Sequence, residues 1–453
     1  MARLRVAWRT LGCRANQYDT EMMKARLAGD RTFEIVPNGG AADIYIINTC
    51  TVTARAEAKA RQYIRRCARR GLVLVTGCWA TVAPEEVAAI SEVGLIFTNA
   101  EKLRIREVVK EALSGRRGIF TFGPALVSDA ARAEDEAEDG LPPELDEERI
   151  VHDSAHTRAF VKVQDGCDRF CTFCRTIHAR GRPRSKSPQA VLAEVKGLVE
   201  RGFVEVVLTG IDLAAYGQDN TNGNGVQVSL AELLWRLSEL PGLKRLRLSS
   251  INPQGITPEL VEFFQKSPKG CPYFHIPLQS GDDRILRRMN RGYTADEYRE
   301  KVELIRDSIP RAMIGADVLV GFPGEGEEHF LRTYHLLEEL VPLRLHIFRY
   351  SRRPGTAAAH FPEQVPEREK LARARRLREL GVELGRRVRE GYLGRRLEVL
   401  VEERAGDGLW RGWSENYIDV HLLPSTEKGL RPGEVVEVKI RGVKEEYLLG
   451  EVD

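Results

Sequence analysis

The sequence of 453 residues contains no apolar run long enough to span a bilayer and no charged-then-apolar leader at its N-terminus. It also lacks an excess of either charge, since 69 Lys and Arg side chains nearly balance 66 Asp and Glu, for a net charge of +3. We therefore expect a cytoplasmic protein without a membrane partner, and the net charge by itself predicts no nucleic-acid partner. With 8 cysteines and no export signal, metal ligation is favoured over disulfide bonds.

Basic and acidic residues are nevertheless distributed unevenly along the chain. Residues 133–148 are acidic and contain two prolines, a composition typical of a solvated linker, which we place at residues 126–155. Basic residues concentrate in three other segments: Arg65–Arg70, Arg175–Lys186 and Arg368–Arg389. Each of these could be an ordinary solvated helix face, and together they are compatible with a phosphate-contacting surface.

Three cysteines follow one short predicted strand near the middle of the chain. The alternating run 159–164 ends at an Asp-Gly pair, and Cys167, Cys171 and Cys174 follow in a C-x3-C-x2-C spacing. Three thiolates this close together can ligate three irons of a 4Fe-4S cluster and leave the fourth iron open to a substrate. The alternative is a zinc site with His178 as its fourth ligand.

Residues 1–125 alternate predicted strands with helices, which indicates a small doubly wound parallel sheet. Its buried strands are predicted at Leu4–Trp8, Asp43–Asn48 and Leu72–Thr76. A cysteine follows each strand: Cys13, Cys50 and Cys78. Because the carboxyl ends of parallel strands lie along one edge of a sheet, we expect these thiols to converge on a second metal site. The alternative, small buried apolar side chains, is our interpretation of Cys67 and Cys271.

These cysteine motifs resemble those of a known family. The C-x3-C-x2-C loop resembles that of the radical S-adenosylmethionine (SAM) enzymes, and residues 11–19, 48–53 and 76–78 resemble the N-terminal domain of the methylthiotransferases among them. The resemblance implies that Cys167, Cys171 and Cys174 hold a 4Fe-4S cluster whose open iron binds and cleaves SAM. It also implies an auxiliary 4Fe-4S cluster on Cys13, Cys50 and Cys78, and a flavodoxin- or ferredoxin-like electron donor.

Residues 156–388 contain six predicted strands separated by helices, which fit the open (βα)6 barrel that the resemblance implies. The strands are predicted at Ala159–Gln164, Glu205–Thr209, Arg245–Ser249, Tyr273–Pro277, Gly315–Val320 and Arg344–Tyr350. The resemblance places Phe173 beside the SAM adenine. Gly210, Gln279 and Asp317, at strand ends, are further candidate SAM contacts, because glycine backbone admits close approach and amides or carboxylates bind ribose hydroxyls. Turn and capping roles are the alternative for these residues.

Residues 389–453 predict a small β-barrel of short strands around glycine turns. Residues 413–420 resemble the TRAM domain, an RNA-binding appendage of the family. Because residues 391–453 carry 9 Lys and Arg against 13 Asp and Glu, binding of RNA here would need a local patch of arginines and aromatics. A module that only packs against the barrel or binds protein is the alternative. Three arginines after the cysteine loop are predicted RNA contacts: Arg180, Arg182 and Arg184.

The resemblance covers nearly the whole chain and implies a methylthiotransferase. Residues 16–19, 350–356 and 364–366 resemble the type that adds a methylthio group to carbon two of threonylcarbamoyladenosine at position 37 of tRNA, so the anticodon stem-loop is the expected partner. Methylthiolation of isopentenyladenosine in tRNA, or of a ribosomal-protein aspartate, is the alternative within the family. A non-catalytic RNA-binding metalloprotein is the alternative outside it. Residues 175–178 depart from the apolar pair, proline and aromatic that family members usually have there.

Overall fold

The structure is a computed structural model that describes residues 3–37, 40–121, 145–150, 157–219, 228–424 and 429–452. Most of the linker predicted at residues 126–155 lies outside the described residues. In the described part of the chain, no helix is both long and apolar enough to cross a membrane.

Six parallel strands form the first sheet, in the spatial order β2-β1-β3-β4-β5-β6. They are β1 Leu4–Thr10, β2 Phe33–Val36, β3 Ile44–Thr49, β4 Leu72–Gly77, β5 Leu95–Phe97 and β6 Gly118–Phe120. The predicted strands β1, β3 and β4 lie side by side at the centre, and β3 is buried along its whole length, as expected for a parallel sheet covered on both faces. The strands β2, β5 and β6, of only three or four residues each, escaped prediction because periodicity needs a longer run.

Helices cover both faces of this sheet, and two of them begin at or beside a strand-end cysteine. They are α1 Arg14–Ala28, α2 Ala54–Ala68, α3 Cys78–Val82, α4 Pro84–Ala88 and α5 Ile105–Leu113. Thr53 caps α2 by accepting a hydrogen bond from the Ala56 amide. The doubly wound first domain is confirmed.

The second unit is a barrel of six parallel strands in sequence order, as predicted. The strands are β7 Arg158–Lys162, β10 Glu205–Thr209, β11 Arg245–Leu248, β12 Tyr273–His275, β13 Met313–Val320 and β14 Arg344–Arg349. They form two three-stranded sheets, which isolated parallel bridges join from Leu246 to Gly270 and from Ser250 to His275. Among the described residues β14 does not pair with β7, so the barrel is open along that side.

Beyond β7 the chain departs from the predicted strand. Residues Gln164–Asp165 form a two-residue strand, β8, that pairs antiparallel with β9 at Arg184–Ser185 and frames the cysteine loop. The helices around the barrel are α6 Thr176–Arg180, α7 Pro188–Glu200, α8 Leu230–Ser238, α9 Pro258–Lys266, α10 Asp283–Met289, α11 Ala295–Ser308, α12 Glu327–Leu340 and α13 Glu367–Glu390.

The third unit is a closed five-stranded barrel of order β15-β16-β17-β19-β18. Its strands are β15 Arg396–Arg404, β16 Trp410–Ser414, β17 Asp419–Leu422, β18 Val435–Val443 and β19 Leu448–Val452. The small C-terminal barrel is therefore confirmed. Its fifth strand, β19, was not predicted, because it is a short run directly after charged residues near the end of the sequence.

The aromatic side chains of the third unit pack beneath the larger barrel. The guanidinium of Arg344 lies 4.5 Å from the ring centre of Trp413 and 5.1 Å from that of Tyr417. Burial alone would raise the pKa of Tyr417, but Arg14 and Arg158 outweigh it and lower the pKa to about 8. Trp413 and Tyr417 therefore pack against the base of the barrel. This is the packing role that the sequence analysis gave as the alternative to an RNA-binding patch.

A buried set of charges joins the first domain to the barrel. Asp19 in α1 accepts hydrogen bonds from Lys102 at 2.6 Å, from Lys162 of β7 at 2.7 Å and from Arg180 of α6 at 2.9 Å. Each of these side chains is buried. Burial raises the pKa of a carboxyl group, yet the three cations hold the pKa of Asp19 well below its usual range.

Replacing Asp19 with asparagine removes the negative charge that these three cations share. We expect Asp19→Asn to lower the free energy of unfolding by about 3–5 kcal/mol, because buried Lys102 loses its carboxylate partner and Lys162 and Arg180 each lose one of theirs. The exposed pair Glu262–Lys266 is the control, and Glu262→Gln should change the free energy by less than about 1 kcal/mol. Denaturant unfolding followed by circular dichroism measures both, and equal effects would contradict a special role for Asp19.

Candidate metal centres

The three cysteines of the central loop lie close to one another at the mouth of the barrel. Burial raises the pKa of Cys167 to about 12, and Asp212 and the thiols of Cys171 and Cys174 act in the same direction. Cys174 Sγ lies 3.1 Å from Thr176 Oγ1, at the start of α6. The three thiols of the loop are therefore near enough to influence one another electrostatically.

Backbone contacts fix the shape of this loop. Gly166, directly before Cys167, has a φ of +76°, and a Cβ atom there would lie 1.9 Å from the carbonyl oxygen of Arg182. Only glycine fits this approach. The Cys167 amide donates to the Gly181 carbonyl at 3.0 Å, and the Asn290 side chain donates to the carbonyl oxygens of residues 169 and 170 at 3.0 and 3.2 Å.

Arg291 is a positive charge directly beside the loop. Its Nη1 lies 3.1 Å from Cys171 Sγ, its Nη2 donates to Asn252 Oδ1 at 2.5 Å, and its Nε donates to the Tyr293 hydroxyl at 3.1 Å. The guanidinium is thus held in contact with the sulfur of Cys171. No motif in the sequence pointed to Arg291, which lies 120 positions after Cys171.

The other three cysteines meet at the carboxyl edge of the first sheet. The chain order reverses between β1 and β3, which creates a crevice where ligands bind in sheets of this kind. Cys13 follows β1, Cys50 follows β3 and Cys78 follows β4. Burial raises the pKa of Cys50 to about 12, with the Cys78 thiol as the next largest cause and the Cys13 thiol adding to it.

Asn16 holds the cysteine-bearing turns together. Its Nδ2 donates to the Leu11 carbonyl at 2.8 Å and to the Thr49 carbonyl at 3.0 Å. Its Oδ1 accepts from Arg180 Nη2 at 2.6 Å and lies 3.9 Å from Cys78 Sγ. The asparagine lies in a segment that resembled the family, but the sequence did not reveal this role.

The spacing of the thiols bears on which metal they could hold. A single zinc ion with Zn–S bonds of about 2.3 Å would draw its thiolates to within about 4 Å of one another. Within the described ranges, neither set of three has all its sulfurs within 4.8 Å of one another. The described geometry therefore shows no closely set group of three sulfurs for zinc at either place.

Comparisons with known proteins now identify the family. A model of the radical SAM superfamily matches residues 161–337, and a model described as uncharacterized protein family UPF0004 matches residues 5–98. The chain is 38% identical to threonylcarbamoyladenosine tRNA methylthiotransferase MtaB of Aquifex aeolicus, over 92% of this chain and 96% of that protein. The chain belongs to the radical SAM methylthiotransferase family.

Members of this family with different names are similar to the chain at nearly the same level. Identity is 36% to the tRNA-2-methylthio-N(6)-dimethylallyladenosine synthase of Thermotoga petrophila, over 89% of this chain and 87% of that protein. It is 34% to the ribosomal protein uS12 methylthiotransferase RimO of Heliobacterium modesticaldum, over 98% and 94%. The solved radical SAM methyltransferase TsrM from Kitasatospora setae shares the fold, with a TM-score of 0.57 and 14% identity over 79% of this chain and 74% of that one.

Two of the predicted SAM contacts of this methylthiotransferase, Asp317 and Phe173, already contact other side chains of the protein. Asp317 Oδ1 lies 2.8 Å from His275 Nε2 and 3.2 Å from His346 Nδ1, so two imidazoles occupy that carboxylate oxygen. Phe173 packs edge-on against Phe322, with ring centres 6.3 Å apart, at the margin of a small apolar cluster.

The other two predicted SAM contacts, Gly210 and Gln279, lie at strand ends and differ in their surroundings and backbone conformation. Gly210 faces the Gln164 side chain, and a Cβ atom at Gly210 would lie 3.0 Å from Gln164 Oε1. Gln279 has a φ of +65°, a strained conformation for glutamine that is concentrated at functional sites. Gln279 thus remains a candidate contact on geometric grounds.

The three predicted RNA contacts occupy different surroundings. Arg180 is only 6% exposed, and its Nη1 donates to both carboxylate oxygens of Asp165 at 3.0 and 2.9 Å. A guanidinium buried among carboxylates has no surface to offer RNA, so that interpretation of Arg180 is replaced by a role in joining the domains. Arg182 is exposed and Arg184 is half-buried, and their RNA contacts stay predictions.

The basic helix α13, considered above as part of a phosphate-contacting surface, has arginines that pair with glutamates. Several of its arginines pair with glutamates of the same helix or of α12, including Arg375 with Glu379 at 2.8 Å and Arg376 with Glu327 at 2.5 Å. This face of the helix is a network of ion pairs.

A methyl group added at Gly166 should disturb the cysteine loop more than one added at a neighbouring glycine. We expect Gly166→Ala to lose most of the iron bound at Cys167, Cys171 and Cys174, because the new Cβ would collide with a carbonyl oxygen. Gly181 is the control, since its φ is also positive, +71°, but nothing lies within 4 Å of a Cβ there. Iron and sulfide assays after anaerobic reconstitution compare the two, and equal iron in both variants would contradict this explanation.

Proposed function

We propose that this methylthiotransferase adds a methylthio group to carbon two of threonylcarbamoyladenosine at position 37 of tRNA. Cys167, Cys171 and Cys174 would hold one 4Fe-4S cluster together with SAM, and a second set of cysteines would hold an auxiliary 4Fe-4S cluster. The second set is Cys13, Cys50 and Cys78. Bound there, these groups would supply an adenosyl radical, a methyl group and sulfur, while the chain positions them and the substrate.

The observation that carries this proposal is the bond between the two cysteine-bearing regions. Arg180 binds Asp165, which lies two residues before Cys167, and also binds Asn16 and Asp19, which follow Cys13 by three and six residues. One rigid side chain therefore fixes the distance between the two sets of thiols. A fixed distance is what a reaction needs when one centre generates a radical and another delivers sulfur to the same carbon.

Exposed apolar side chains beside both sets of thiols support a nucleobase as the substrate. Phe170, between Cys167 and Cys171, is 62% exposed, and Val52, two residues after Cys50, is 61% exposed. A modified base must leave the stack of the anticodon loop to be reached, and unstacked bases pack on aromatic or apolar side chains. The electron donor is proposed to be a flavodoxin- or ferredoxin-like protein, and the setting the cytoplasm.

The test of the substrate is mass analysis of tRNA nucleosides from cells that lack the protein. We expect the methylthio form of threonylcarbamoyladenosine to disappear, its precursor to accumulate, and the intact gene to restore the product. Loss of the methylthio form of isopentenyladenosine instead, or of methylthiolated aspartate in a ribosomal protein, would overturn the assignment.

Alanine variants of the two sets of cysteines should separate the two clusters. Replacing Cys13, Cys50 and Cys78 should leave about four irons per chain and reductive SAM cleavage, but abolish methylthiolation, because the radical centre remains intact. Replacing Cys167, Cys171 and Cys174 should also leave about four irons but abolish SAM cleavage. Iron analysis and chromatography of 5′-deoxyadenosine measure these outcomes.

The controls for the cysteine variants are Cys67→Ala and Cys271→Ala, which should keep both activities and the full iron content. Loss of all the iron in either triple variant would contradict two independent clusters, as would SAM cleavage that survives without the central cysteines.

A further inference from the structure

Two buried arginines meet at the boundary between the first domain and the barrel. Arg175 directly follows Cys174, and Arg353 lies in the loop after β14. They face Thr51, which directly follows Cys50, and Glu57 in the first turn of α2. The four side chains, here called the arginine pocket, therefore lie between the two sets of thiols.

The arginine pocket holds more positive than negative charge. Both guanidinium groups use the same oxygen, Glu57 Oε1, with Arg175 Nη1 at 3.7 Å and Arg353 Nη2 in direct contact. Both also donate to the Thr51 hydroxyl, each at 3.3 Å. One carboxylate thus serves two buried guanidinium groups.

The hydrogen-bonding capacity of the pocket is also incomplete. Arg175 is 8% exposed and Arg353 4% exposed, and Arg353 Nε has no hydrogen-bond partner among the described residues. A second carboxylate near Arg175, that of Glu86, already serves other donors, since it pairs with Arg61 at 3.6 Å and accepts a hydrogen bond from Trp79 at 3.2 Å. A buried excess cation with an unpartnered donor is unfavourable unless an anion joins it.

We infer that the arginine pocket binds the threonyl carboxylate of the modified adenosine, an inference that rests on the proposed function. Arginine presents a planar fork of donors that matches a carboxylate. Carbon two and the N6 substituent of adenine flank the same ring nitrogen, so a carboxylate held in the pocket fixes the position of carbon two.

The pocket would also select against the competing nucleoside. Isopentenyladenosine carries an apolar substituent at N6, which would leave the excess charge of the pocket buried and unpaired. Sites that are built to bind a polar group reject analogues that lack it far more strongly than apolar pockets reject extra polarity. The arginine pocket therefore sets substrate specificity as well as position.

The test compares the affinity of the reconstituted enzyme for anticodon stem-loops that carry threonylcarbamoyladenosine or isopentenyladenosine at position 37. We expect the wild-type enzyme to prefer the former, and Arg175→Ile or Arg353→Gln to reduce that preference by about 10- to 100-fold, the usual worth of a charge-assisted hydrogen bond. Arg353→Lys should retain part of the preference. The control is Arg352→Gln, because Arg352 is an exposed neighbour in the same loop.

Glu57→Gln distinguishes recognition from a merely structural ion pair. If the pocket binds the substrate carboxylate, removing the competing carboxylate of Glu57 should keep or increase the preference. If the arginines only hold the domains together, Glu57→Gln should behave like Arg353→Gln, and the inference is overturned. Iron content and thermal unfolding of each variant show whether the junction still forms.

The affinity of each variant for SAM separates the two carboxylates that could occupy the pocket. Unchanged affinity for SAM with a lost stem-loop preference supports the inference, and weakened SAM binding with an unchanged preference overturns it in favour of the SAM carboxylate. If both arginine variants keep the wild-type preference, the inference about the arginine pocket is overturned, while the proposed function stands. A wild-type enzyme that prefers isopentenyladenosine overturns the proposed function and the inference together.

Discussion

The bonds from Arg180 to Asp19 and Asp165 are the constraint on which the arrangement of the candidate centres depends. They connect α1, just after one set of thiols, to β8, just before the other, across the junction of two domains. Because the partners are buried, a small shift of one domain against the other would leave charges unpaired where water does not reach them. Electrostatic bonds therefore hold the two halves of the site at one distance. A purely apolar interface, which has no directional bonds, would allow them to shift.

Charged side chains also occupy interior positions that are usually apolar in a barrel. Glu205 binds Arg247 at 2.9 Å within the barrel, and the C-terminal domain contributes Tyr417 to the same region. Arg14, the neighbour of Cys13, donates to the Tyr417 hydroxyl at 3.1 Å. Side chains from all three domains thus meet at the base of the barrel, so we interpret the C-terminal domain as part of the enzyme's framework.

The sequence predicted the parts that follow from periodicity and topology. Buried strands followed by Cys13, Cys50 and Cys78 were enough to place these thiols at one sheet edge, because parallel strands end together. Partners distant in sequence were beyond such reasoning. Arg180 was predicted as an RNA contact because its partner Asp19 lies 161 positions away and could not be foreseen. The meeting of Arg175 and Arg353 depends on the loop after β14 reaching Thr51 and Glu57 of the first domain.

The central proposal is that the six cysteines hold two separate iron-sulfur clusters. Anomalous diffraction at the iron edge, from crystals of the anaerobically reconstituted protein, tests it most directly. We expect two separate groups of iron, one within bonding distance of Cys13, Cys50 and Cys78 and the other of Cys167, Cys171 and Cys174. A single iron site, or a signal at the zinc edge in either place, would contradict it.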